Sequence, residues 1–257
     1  MLGLVLLEFR KLLGYRSVRI SLMLLFFIPW IWSFAPNLQE TYNLVLVSGW
    51  QMPALTLLTV MQFILPLLVG VTAAELLGAE VAAGTLSPLL MRPVERYKIL
   101  GAKYVVALLY PLLLLAVLLV ASVLAGARFG LGEFVGGTGF SQGGFAGVGS
   151  LGASLALPEI LKAYVWAGAT LAPVSGLSLL FSVVFLNTAA AALATISTLN
   201  IMRLFVVFPG LSPWLLTSYL EAYVADPAHL AKSGVMLLFY TLIIVATGLV
   251  IFERKDL

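Results

Sequence analysis

The sequence predicts an all-α integral membrane protein of six transmembrane helices, and three observations carry that prediction. Of its 257 residues, 62% are hydrophobic and 10% charged, against about 45–50% and 25% in soluble globular domains. A folded domain must show polar groups to water, so this composition excludes a water-soluble enzyme. The charges are clustered, which leaves uncharged runs at Ile20 to Gln39, Thr41 to Ala74, Tyr104 to Ala127, Ala163 to Met202, Leu204 to Leu220 and Ser233 to Phe252. Each can hold a span of roughly 17–25 residues. The basic residues are unevenly placed. With the N-terminus inside, Arg10, Lys11, Arg16, Arg19, Arg92, Arg96, Lys98, Lys103, Arg254 and Lys255 fall on the cytoplasmic side, and only Arg128, Lys162, Arg203 and Lys232 on the outer side. That agrees with the positive-inside bias and returns both termini to the cytoplasm.

The spans are expected at about 20–36, 53–76, 97–125, 160–185, 188–208 and 233–252. The run from Ala163 to Met202 would measure about 60 Å as one helix, twice a hydrocarbon core of about 30 Å. It therefore holds two segments, meeting near Asn187. Ahead of the first span, Leu2, Val5, Leu6, Phe9, Leu12 and Leu13 recur at helical spacing while Glu8, Arg10 and Lys11 take the other face. Residues 1–19 thus read as an interfacial amphipathic helix. Ser33, Phe34 and Ala35 imitate a signal-peptide cleavage site, but Pro36 follows directly and opposes that reading.

Residues 126–158 read as an external loop. From Gly126 to Gly152 there are eleven glycines and two charges, a stretch with a high ordering cost and few side chains for a core. Within it, Gly139-Phe140-Ser141-Gln142-Gly143 matches the nucleophile-elbow pattern and Gly147-Val148-Gly149-Ser150-Leu151-Gly152 the dinucleotide fingerprint. Both lack the required strand-turn-helix or βαβ context and read as chance. Residues 209–232, with two early prolines and then Trp214, Tyr219 and Tyr223, are too polar to span. They read either as short helices dipping into the outer leaflet or as an ordinary surface connection.

Cysteine is absent and His229 is the one histidine, which excludes disulfides, thiolate metal sites and a cysteine nucleophile. No cofactor or metal site is expected in the chain. The pI near 9.2 does not point to nucleic acid, because the basic residues form no continuous stripe.

The most informative stretch is Glu75 to Lys103, between the second and third spans. Gly84 interrupts the helix, Thr85 or Ser87 can cap a new one with Pro88 at its first position, and Pro93 forces Arg92 to an extended conformation. A short helix results, its Leu86, Leu89 and Leu90 ringed by Glu80, Arg92, Glu95 and Arg96, which suits a groove on a soluble partner. The bland alternative is a charged, capped turn.

Glu80-x-x-x-Gly84-Thr85-Leu86-x-x-Leu89-Leu90-x-Arg92-Pro93-Val94-x-Arg96 followed by Lys103, together with the ending Phe252-x-Arg254-Lys255-Asp256, resembles the coupling-helix signature of type-2 ATP-binding-cassette (ABC-2) exporter permeases. The resemblance covers essentially the whole chain: an elbow helix, six spans, a cytoplasmic coupling helix in residues 80–96 and a dipping segment before the last span. It implies a permease subunit in the prokaryotic inner membrane, working as a dimer with a second copy. It also implies two separately encoded ATPase subunits, which would carry the ATP and Mg2+ and contact Glu80, Gly84, Thr85, Leu86, Leu89, Leu90, Arg92 and Arg96. No Gly-x-x-x-x-Gly-Lys-Ser/Thr occurs in this chain, so it cannot cradle ATP phosphates itself.

Inside the spans, Gln62, Pro66, Glu75, Asn200 and Arg203 interrupt apolar helices and are candidates for a gate or path. Gln62 and Pro66 lie one turn apart and face either the path or a packing neighbour. Arg203 reads first as snorkelling to the outer interface and second as a substrate contact. Glu75 is either paired with Arg92, Arg96 or Lys103, or a solvated helix end. Two alternatives from other classes are a serine hydrolase using Ser141, His229 and Asp226, and a passive channel or assembly scaffold. The first lacks a preorganised oxyanion site and the second a ring of charge for selectivity.

Overall fold

The computed structural model describes residues 1–35, 46, 48–86, 88, 95–135, 150–224 and 227–255. Among these residues eight helices make the body: α1 (Leu2–Gly14), α2 (Arg16–Phe34), α3 (Gln51–Met61), α4 (Ile64–Ala82), α5 (Arg96–Gly126), α6 (Ala153–Phe185), α7 (Thr188–Phe205) and α8 (Pro227–Arg254). Among the described residues six helices, α2 and α4 to α8, are long and apolar enough to cross a membrane. The protein is an all-α integral membrane protein.

Its polarity is arranged for lipid. Thr56, Thr72, Ser122, Thr170, Ser175, Ser178, Ser182 and Thr195 are fully buried, while Ile20, Phe27, Leu238 and Leu242 face outward. Lipid tails are as apolar as leucine, so helices here associate through close packing and interhelical hydrogen bonds. Ser178 and Ser182 of α6 donate to the carbonyls of Gly70 and Ala74 on α4, a ladder repeated at one-turn spacing. The main core of Leu65, Val69, Leu100, Tyr104, Leu171 and Phe252 draws on α4, α5, α6 and α8.

Four boundaries differ from the sequence expectation. The second span is not one helix over 53–76 but two, broken at Gln62 and Phe63. α6 starts at Ala153, so the glycine-rich connection ends at Gly152 rather than 158; Pro158 sits in the second turn, where it removes one hydrogen bond without ending the helix. α8 starts at Pro227, not 233. The amphipathic helix ends at Gly14 because Tyr15 is extended (φ −67°, ψ 141°), which hands Arg16 and Arg19 to α2.

The turn at Asn187 is where the charge pattern put it. Leu186 takes the left-handed conformation (φ 52°), and Asn187 caps α7 by accepting from the Ala190 amide at 3.0 Å. Gly78 lets this turn close on α4, since a Cβ there would lie 2.3 Å from Thr188 Oγ1. At the opposite end, Gly49 and Gly126 cross with no room for a side chain, a Cβ on Gly49 falling 2.4 Å from the Gly126 carbonyl oxygen. Gly49 N donates to Gly130 O, Ser33 to Ala125 O and Arg128 to Ser33 O. Phe134 and Val135 pair antiparallel with Leu151 and Ser150, closing the base of the glycine-rich connection. Between α7 and α8 the described residues make 3-10 turns at Ser212–Trp214, Leu216–Tyr219 and Ala222–Val224. Leu216, Tyr219 and Leu220 are buried against Val174 of α6, Leu199 of α7 and Leu237 of α8.

Candidate functional site

Helix α1, the C-terminal end of α4 and the N-terminal end of α5 meet in a buried ionic quartet. Lys103 Nζ, with a fully buried side chain, lies 2.8 Å from Glu8 Oε2, 2.8 Å from Glu80 Oε1 and 2.8 Å from the Leu76 carbonyl oxygen. Lys11 Nζ completes the cluster at 2.9 Å from Glu8 Oε1 and 2.8 Å from Glu80 Oε1. Two cations and two carboxylates make the group neutral, the condition under which charges tolerate burial. Burial works against the Lys11 ammonium, but hydrogen bonds to Glu80 and Glu8 outweigh it and hold its pKa above the ordinary lysine value. Burial pushes the neighbouring Tyr15 phenol up to about 12, with Glu80 and Glu8 adding to the shift.

This arrangement turns α1 over relative to expectation. Glu8 does not share a water-facing side with Arg10; it is buried with Leu12, while Leu2, Leu6 and Leu13 are exposed. Against lipid the leucines lose nothing by facing out, and Glu8 gains Lys103 only by facing in. Glu75 likewise does not pair with Lys103 or Arg96: it accepts from the Ser17 hydroxyl, tying α4 to α2. Glu8, Lys11 and Lys103 were not among the expected site residues. The signal available was a charge pair at i, i+3 in an apolar helix and a lysine at the head of an uncharged run.

Beyond the quartet α4 ends in a Schellman cap. Gly84 is left-handed (φ 66°), its amide donates to Val81 O at 3.0 Å, and the Thr85 amide donates to Glu80 O at 2.9 Å. The Thr85 hydroxyl bonds the same Glu80 carbonyl at 3.2 Å. Leu86 and Pro88 have helical backbone. Leu86 is not an exposed knob; it is 5% exposed and joins the main core. Leu89, Leu90 and Arg92 lie outside the described residues. Arg96, at the start of α5, donates to the Lys255 carbonyl at 2.9 Å, and Lys255 Nζ donates to Val183 O and Val184 O at 2.8 and 2.7 Å.

A second constellation forms where the second span breaks. Pro66 has no amide to offer the carbonyl four residues earlier, so the Gln62 oxygen is left without a helical donor. Arg203 Nη2 supplies one at 2.9 Å. The arginine therefore satisfies a freed backbone group, a role more specific than snorkelling. A cavity of about 540 Å³ opens here, with Gln62, Arg203, Ser212, Ser218 and Glu221 among its walls. It adjoins a narrow cleft between α4 and α7, lined by Phe63, Pro66, Leu67, Ile196, Leu199 and Asn200 as well as Gln62 and Arg203. Asn200 donates to Ile196 O at 3.0 Å. Gln62, Pro66, Asn200 and Arg203 thus come together, and Glu75 does not join them.

Ser141 and Asp226, on which a hydrolase reading depends, lie outside the described residues. No curated protein matches the chain. A sequence profile of ABC-2 family transporter proteins matches residues 4–185, from the first turn of α1 to the last residue of α6. A span of that length, taken with six apolar helices, assigns the chain to the ABC-2 family of membrane transporter subunits, which work alongside an ATP-binding subunit rather than being one.

Proposed function

We propose that the chain is the membrane-spanning subunit of an ATP-driven exporter, with both termini in the cytoplasm of a prokaryotic cell, acting as a dimer with a second copy. Two separate ATPase subunits, holding ATP and Mg2+, would grip the stretch from Glu80 to Arg96. The observation that carries this reading is the quartet of Glu8, Lys11, Glu80 and Lys103. It locks three elements together just inside the segment that a soluble partner would push: the helix before the first span, the end of α4 and the start of α5. A push on that segment is then delivered to packed spans as a rigid displacement rather than absorbed in a loose loop. Glu80 and Leu86 face the bundle, so in this reading they stiffen the lever, and Gly84, Thr85, Leu89, Leu90, Arg92 and Arg96 are left to form the contact.

The test is co-expression with a candidate ATPase subunit and measurement of ATP hydrolysis in reconstituted vesicles. The wild-type pair should copurify and hydrolyse ATP. Reversing charge at both Arg92→Glu and Arg96→Glu should cut that activity by about tenfold or more, the loss of roughly 1.4 kcal/mol. Unchanged hydrolysis in the double variant would refute the contact.

A further inference from the structure

The cavity at the broken span holds two opposite charges that do not meet. Arg203 and Glu221 both line it, both act electrostatically on the buried Tyr223 hydroxyl with opposite sign, and no ion pair within 4.0 Å joins them among the described residues. One guanidinium nitrogen of Arg203 is engaged by the Gln62 carbonyl, and the rest of the fork, a donor geometry matched to phosphate or carboxylate, remains. Thr217 also lines the cavity; it is 7% exposed and its Oγ1 reaches no hydrogen-bond partner among the described residues. An unpaired buried hydroxyl is costly unless a ligand or water completes it.

The position of the cavity limits what can enter. α7 ends at Phe205, level with Gln62, while α3 continues outward from there for 11 residues, about 16 Å at 1.5 Å per residue. The cavity therefore lies well below the outer end of the bundle, under the 3-10 turns between α7 and α8. It shares Gln62 and Arg203 with the cleft between α4 and α7, which is otherwise apolar except for Asn200. Polar walls carrying both charges thus adjoin a shallow groove of about 20 Å³, whose apolar side is Phe63, Pro66, Leu67, Ile196 and Leu199, so a chain attached to the headgroup would lie over the groove rather than inside it.

We infer that this cavity binds the zwitterionic headgroup of an amphiphile, its phosphate on Arg203 and its ammonium on Glu221, with an acyl chain lying along the cleft between Phe63 and Leu199. A headgroup of net negative charge would meet Arg203 but be repelled by Glu221; a wholly apolar ligand would strand both charges and Thr217. A volume of about 540 Å³ falls within the range of about 300–1,000 Å³ usual for small-molecule sites. The inference names a class of molecule for the transport reading and rests on it only for the claim that the bound molecule is moved.

The experiment is native mass spectrometry of the full chain in detergent, incubated in turn with phosphatidylethanolamine, phosphatidylglycerol and glycerophosphoethanolamine. Phosphatidylethanolamine should bind about tenfold more tightly than phosphatidylglycerol, and Arg203→Gln and Glu221→Gln should each weaken it by about tenfold, as expected for loss of one charged hydrogen bond. Thr217→Val, which removes the hydroxyl and keeps the shape, should weaken it less. Equal binding of the two lipids would overturn the charge match, and undiminished binding by both charge variants would overturn the site. Glycerophosphoethanolamine binding as tightly as the lipid would overturn the acyl-chain contact and mark the ligand as a soluble zwitterion. Because no ATPase subunit is needed, failure here leaves the coupled-ATPase test untouched, and failure there leaves this one untouched.

Discussion

Replacing Lys103 with methionine removes a fully buried ammonium held by Glu8, Glu80 and the Leu76 carbonyl, all at 2.8 Å. The quartet then carries one net negative charge, with two carboxylates sharing a half-exposed Lys11. Breaking a buried pair from one side costs about 3–5 kcal/mol. At about 2–4 °C per kcal/mol for a chain of this size, the melting midpoint of the purified protein should fall by about 6–20 °C. The assay is thermal unfolding followed by fluorescence-detected size exclusion in detergent. A second variant separates charge from packing: adding Glu8→Gln to Lys103→Met returns the cluster to neutrality and should recover more than half of the lost midpoint. Trypsin gives a third readout, because cleavage after Lys11 should accelerate in the single variant as α1 lifts from α5. A midpoint within 2 °C of wild type, set against the predicted shift of at least about 6 °C, would refute the view that the quartet anchors α1. So would a double variant no better than the single one.

Alkaline pH should loosen the same region. Lys11 and Tyr15 both have folded-state pKa values above their unfolded ones, so their contribution is complete below the unfolded values and is lost as pH rises through the folded ones. For Tyr15 that window runs from 10.0 to about 12, and absorbance of tyrosinate should show a late-titrating phenol that Tyr15→Phe removes. Gly248→Ala should push α8 off α5, since its Cβ would lie 1.9 Å from Tyr104 Oη, at about 1–3 kcal/mol. Tyr104→Phe alone should be close to neutral, because that buried hydroxyl has no partner among the described residues, and in combination it should restore part of the loss in thermal unfolding. Ser178→Ala with Ser182→Ala should cost about 1 kcal/mol, at about 0.6 kcal/mol per interhelical bond, with separation of α4 from α6 read by cysteine crosslinking.

The span count and the fold-back at Asn187 were legible because each depends on local chemistry, charge spacing and helix length against membrane thickness; of Gln62, Pro66, Glu75, Asn200 and Arg203, singled out for interrupting apolar helices, four lie together and Glu75 lies apart. What was not legible depends on partners distant in sequence. Periodicity placed Glu8 and Leu6 on different faces of α1, but which face meets lipid is decided by Lys103, 95 residues away. Pro66 marks an interruption of the second span, yet that Arg203 donates to the Gln62 carbonyl follows only from the packing of α7 on α4, 141 residues apart. Leu86 illustrates the opposite error. An exposed leucine suits a partner's groove, and nothing local distinguishes it from one that folds back into the core.

The crossing of Gly49 and Gly126 has a mechanical meaning. Two backbones in direct contact, further tied by Ser33, Arg128 and Gly130, pin α5 at the end away from the quartet and make that end the natural pivot for any tilt of the helix. From Gly126 to Lys103 is 23 residues of one helix, about 35 Å at 1.5 Å per residue. Leverage over that length would turn a tilt of about 5° into a displacement of about 3 Å at the quartet end, comparable to the length of a hydrogen bond. The quartet is thus placed where the smallest rotation does the most, and the glycine crossing where it does the least.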